Sequence, residues 1–80
     1  MKTSKLYAKI RLQVALGLAR DLQRGDFSRF VDNRGRSVYN AADCCRNIRA
    51  ICADQVVANC FPAAAAMLRR WALLVAAGRA

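Results

Sequence analysis

The sequence predicts an all-α protein, a small three-helix bundle that a second copy would help to complete. Two observations carry that prediction. Apolar residues recur with helical spacing in three separate stretches, and the residues that favour turns fall between those stretches. The composition adds a third: 56% apolar and 24% charged over 80 residues, with a single proline, is that of a folded chain rather than a polar tail. Residues 1–80 make one domain at the small end of the range. There, surface-to-volume scaling leaves little core, and regular helices, staples or a second protomer supply the stability.

The first helix is expected over 3–24. At about 100° per residue, Leu6, Ile10, Val14, Leu18 and Leu22 drift along one side with Tyr7, Ala15 and Ala19 beside them. Lys2, Lys5, Lys9, Gln13, Arg20 and Arg24 gather opposite, and Gly25 is a sensible stop. Residues 26–37 hold the only run rich in turn chemistry, with Asp32-Asn33-Arg34-Gly35 suited to a tight turn. A loop is favoured over a two-stranded hairpin, which is marginal unless packed on something.

The second helix is expected over 40–59. Asn40 caps it, Asp43 lies in its first turn, and Cys44, Cys45, Ile48, Ile51, Cys52 and Val56 make its apolar face. Pro62 opens the third, to about residue 77, with Met67, Leu68, Trp71, Leu74 and Val75 on a wide apolar face. The expected core is Leu6, Ile10, Val14, Leu18, Leu22, Ile48, Cys52, Val56, Leu68, Trp71, Leu74 and Val75. The basic start with its apolar "ALGLA" faintly suggests a leader, but Arg11 and Gln13 interrupt it. The expectation is therefore an amphipathic helix in a cytoplasmic protein.

All four cysteines lie between positions 44 and 60, and the chain has no histidine. Cys45 and Cys52, seven residues apart on a helix, stand roughly 10 Å from one another, beyond the ~7 Å Cα limit for a disulfide. Gaps of zero, six and seven residues do not match the paired spacing of structural zinc sites. Reduced core thiols are the expected role, with no metal and no cofactor.

No catalytic set is visible. The commonest general base is missing, glutamate is absent, and five aspartates stand singly among fourteen lysines and arginines. Neighbouring arginines favour the charged form of those carboxylates, which suits ion pairs rather than general acids. The expectation is a protein without enzymatic activity.

What remains is charge. A net +9 is drawn to polyanions. The candidate binding residues are Lys2, Lys5, Lys9, Arg20 and Arg24 on the first helix, with Arg29, Arg34 and Arg36 in the loop. Arg34 and Arg36 precede a helix N-terminus, where free backbone N–H groups favour an anion, although Asp43 already offsets that field. One expectation is a small regulatory protein that docks on nucleic acid or a nucleoprotein complex. The other is an inhibitor or adaptor of the kind phages and plasmids encode, which covers an acidic or nucleic-acid-binding surface of a host protein and blocks it sterically. A homodimer is compatible with either. Membrane contact ranks below both, since the apolar face of the basic segment around Trp71 is needed for the core.

Overall fold

The computed structural model describes residues 2–25, 27, 33–36 and 39–79. Four helices follow one another: α1 (Lys2–Arg24), α2 (Ala41–Ala53), α3 (Gln55–Cys60) and α4 (Pro62–Ala76). No strand occurs among the described residues. The all-α class and the first and last helices agree with the sequence reading. The number of helices does not, because the one expected over 40–59 breaks at Asp54.

The break has a local cause. At φ −59° and ψ 125°, Asp54 leaves helical geometry and serves at once as the end of α2 and the cap of α3. Its carboxylate accepts a 2.9 Å hydrogen bond from the Val56 N–H, and its own N–H still reaches the Ile51 carbonyl. A short acidic side chain competes in this way with the helical ladder. On a helical wheel the same residue reads only as a polar position on the wet face, so apolar periodicity passes over it.

The other boundaries follow their residues closely. Asn40 and Asp43 form a reciprocal capping box: Asp43 N–H donates to the Asn40 side chain at 3.0 Å, and Asn40 N–H to Asp43 at 3.3 Å. Pro62 opens α4, where its missing N–H is of no consequence. At the far end, Arg79 N–H bonds Leu74 O and Gly78 N–H bonds Val75 O, the pattern of a Schellman turn. That turn needs Gly78 at φ 70°, a left-handed conformation costly to any residue with a Cβ.

The packing reverses part of the expected core. Among the described residues twelve apolar ones are buried, and eight of them are small: five alanines (Ala8, Ala15, Ala19, Ala65, Ala72) and three cysteines (Cys44, Cys45, Cys52). Only Leu18, Ile48, Ile51 and Val57 are larger. Leu22, Val56, Leu68 and Trp71 pack against this cluster while half-buried. Leu6, Ile10, Val14 and Leu74, all assigned to the core from periodicity, are exposed. The reason is steric: α1 presents its alanine side to α2 and α3, and methyl side chains let helix axes approach closely. The bulky aliphatic row is rotated away.

The described part of the linker returns to this cluster through Phe27 and Tyr39, whose rings meet edge-on with centroids 6.3 Å apart. The choice between hairpin and loop falls largely on residues 28–32 and 37–38, outside the described ones. The molecule is flat, with extents of 43 × 31 × 16 Å and a radius of gyration of 13.4 Å. A compact chain of this length has about 12 Å. Two layers of helix axes, ~8–10 Å apart, already fill the short dimension, so no third layer covers their outer sides.

Candidate docking surface

The basic residues of α1 stand where the alanines put them. With Ala8, Ala15, Leu18 and Ala19 turned to the core, Lys5, Lys9, Arg20 and Arg24 fall on the side facing water, and all four are exposed. From Lys5 to Arg20 the ridge is roughly 22 Å long at 1.5 Å per residue. Lys2 belongs to the first turn of the same helix, and the placement of its side chain is not described.

Beside that ridge runs the row that periodicity assigned to the core. Leu6 is 59% exposed and Ile10 52%, with Val14 one turn further on. Spacing of four residues stacks the three along one side of the helix. α1 thus shows solvent two parallel features, one cationic and one aliphatic. Helical spacing reveals both sets of residues but places only the first at the surface. The signal that separates them is Ala8, Ala15 and Ala19, a small-residue stripe that marks the packing side.

The loop residues contribute differently. Arg34 and Arg36 are exposed, and each is engaged in an interaction within the protein. Arg29 lies outside the described residues. The helix start that Arg34 and Arg36 precede is satisfied by its own capping box, with Arg46 also 3.4 Å from the Asp43 carboxylate. The expected phosphate site at that N-terminus therefore competes with a carboxylate already in place. The structure brings Lys5, Lys9, Arg20 and Arg24 together on one helix and leaves Arg34 and Arg36 on a separate turn.

At the α2–α3 break and along α2, polar side chains pair with one another at the surface. Tyr7 donates a 2.7 Å hydrogen bond to Asp54 Oδ2. That bond, with help from the Val56 N–H, keeps the Asp54 carboxyl below the usual carboxylate range. Tyr39 bridges to Asn47, which donates to its hydroxyl. The cysteines form no site: Cys44, Cys45 and Cys52 are buried free thiols and Cys60 is a half-buried one. Burial pushes the Cys44 thiol up to about 11, with Cys45 and Asp21 adding to the shift. Its Sγ donates to the Leu18 carbonyl at 3.2 Å. Among the described residues, no three His, Cys, Asp or Glu side chains gather as metal ligands would. No described helix is long and apolar enough to cross a membrane.

Compared with known protein families, with curated proteins and with solved structures, the chain has no significant match in any of the three.

Proposed function

We propose that this is a non-enzymatic docking protein whose α1 binds an acidic, partly apolar surface of a protein or nucleoprotein complex and occludes it. One observation carries the reading: the cationic ridge Lys5, Lys9, Arg20 and Arg24 runs alongside the exposed aliphatic row Leu6, Ile10 and Val14. The burial pattern supports it. A small protein gains roughly 0.8 kcal/mol for each methyl(ene) it buries, yet α1 turns mostly alanine to the core and leaves Leu6, Ile10 and Val14 outside. Such rows on a flat molecule suit a partner that covers them. The surrounding cations select one of negative charge and speed its association.

Binding to bare nucleic acid is a second reading, favoured by the ~22 Å ridge, which spans several phosphates of a duplex. Phosphates have no use for the aliphatic row. The test is to capture the partner from a nuclease-treated lysate and compare the wild type with Leu6→Ser/Ile10→Ser and with Lys5→Gln/Lys9→Gln. Both pairs should weaken capture in the docking reading. Capture lost on nuclease treatment and indifferent to the aliphatic pair would leave nucleic acid as the target.

A further inference from the structure

Between α1 and α4 runs an open groove of about 510 Å³, walled by Leu16, Ala19 and Arg20 on one side and Met67, Leu68 and Trp71 on the other. Each wall contributes two helical turns, residues 16–23 and 64–71, or about 10 Å of length. The lining is mostly apolar and unusually open to solvent: Met67 is 73% exposed and Leu16 stands half clear of the surface. Ala19 and Ala64 keep the wall faces low, so a second backbone can come close. Arg20 sits at the lip with no carboxylate among its groove neighbours.

We infer that this groove seats an amphipathic helix of the partner protein, whose apolar side chains at i, i+4 and i+7 fill it while acidic residues flanking them meet Arg20. The inference rests on the docking reading above and adds the form and chemistry of what docks. Length fits, because three anchors over seven residues span about 10 Å. Methionine and tryptophan walls suit such a helix, since a flexible thioether adapts to its side chains.

Charge decides against a second copy, and shape against a bilayer. A second copy brings another net +9, and its described acids are engaged: Asp43 in its capping box, Asp54 by Tyr7 and Val56, and Asp21 within its own chain. A planar bilayer cannot enter a concave trough between two helices.

The test uses two synthetic peptides of about sixteen residues with leucine at identical helical spacing, one flanked by glutamate and the other by lysine. Trp71 is the only tryptophan of the chain, so its emission reports the groove directly. The glutamate peptide should shift that emission to the blue and bind at least about tenfold more tightly than the lysine peptide. Met67→Glu, at a side chain that is mostly in water, should keep the circular dichroism of the wild type and weaken the glutamate peptide about tenfold. Arg20→Glu should weaken it as well.

Equal binding of the two peptides, no shift at about 100 μM, or indifference to Met67→Glu would overturn the inference. So would sodium laurate shifting Trp71 where neither peptide does, or self-association abolished by Met67→Glu. Met67 lies outside the ridge and the aliphatic row of α1. A captured partner lost through Lys5→Gln/Lys9→Gln but unaffected by Met67→Glu would therefore sink the groove while leaving the docking reading in place.

Discussion

The Tyr7 hydroxyl of α1 reaches 2.7 Å across to the carboxylate of Asp54, the residue at which the second helix of the sequence becomes two. One side chain thus ends α2, caps α3 and anchors α1. The hydrogen bonds from Tyr7 and from the Val56 N–H favour the ionised carboxylate, which lowers its pKa in the folded state. A depressed folded pKa gives stability that is present above the unfolded value and lost as pH falls through the folded one. Unfolding midpoints should therefore decline below about pH 4. Tyr7→Phe should make that acid decline shallower. Asp54→Ala should do the same and lower the midpoint further at pH 7, since it removes the α3 cap as well. Denaturant titrations of the three proteins at several pH values measure both effects, and identical acid limbs would show that the contact carries no linkage.

The rotation of α1 makes a second expectation that runs against ordinary intuition about hydrophobic residues. Ile10→Ala should change stability by no more than about 0.5 kcal/mol, because the side chain is half in water. Ala15→Leu, the apparently more apolar change, should cost roughly 1–3 kcal/mol, because Ala15 is fully buried. Chemical denaturation decides it. The reverse order would mean that α1 packs through its leucine and isoleucine side after all.

That reversal shows where periodicity is informative and where it is not. Helix positions in α1 and α4 were legible because proline, glycine and apolar spacing act locally. The capping box of Asn40 and Asp43 was legible for the same reason, being three residues wide. Which side of α1 faces inward was not, since an alanine stripe and an aliphatic stripe on one helix compete for the core. The outcome depends on how closely α2 and α3 approach. The basic ridge could be read either way, because it stays in water whichever stripe wins. Asp54 was missed because apolar periodicity reads it only as a polar position, although its bond to the Val56 N–H is local; only its contact with Tyr7, 47 residues away in sequence, lies beyond any local pattern.

The thiols give a third expectation. Cys60 is the least enclosed of the four, so a small alkylating reagent at neutral pH should label it well before the other three, as mass spectrometry would show. Serine should be tolerated better at Cys44 than at Cys52. The Leu18 carbonyl already receives the Cys44 thiol and can receive a hydroxyl, whereas Cys52 is buried without such an acceptor. Cys52→Ser should accordingly cost about 1–3 kcal/mol and Cys44→Ser less. With its folded pKa raised to about 11, Cys44 contributes stability present below its unfolded value and lost as pH rises through the folded one. An alkaline loss above about pH 9 that Cys44→Ser reduces is the corresponding titration result.

The last expectation separates the two parts of α1 by their response to salt. Charge–charge attraction is screened with a Debye length of about 10 Å at 0.1 M, and apolar burial is not. Lys5→Gln/Lys9→Gln should therefore lower partner affinity most at low ionic strength, mainly by slowing association, with the difference narrowing as salt is added. Leu6→Ser/Ile10→Ser should lower affinity by a similar factor at every salt concentration, through faster dissociation. Neither pair should move the unfolding midpoint much, since all four side chains are exposed. Duplex DNA gives the contrasting pattern: if it were the target, the lysine pair would flatten the logarithmic salt dependence by about two units and the aliphatic pair would leave it untouched. Surface plasmon resonance with the captured partner, run at three salt concentrations, distinguishes the two patterns directly. A partner indifferent to Leu6 and Ile10 would remove the aliphatic row from the interface and return the surface to a purely electrostatic role.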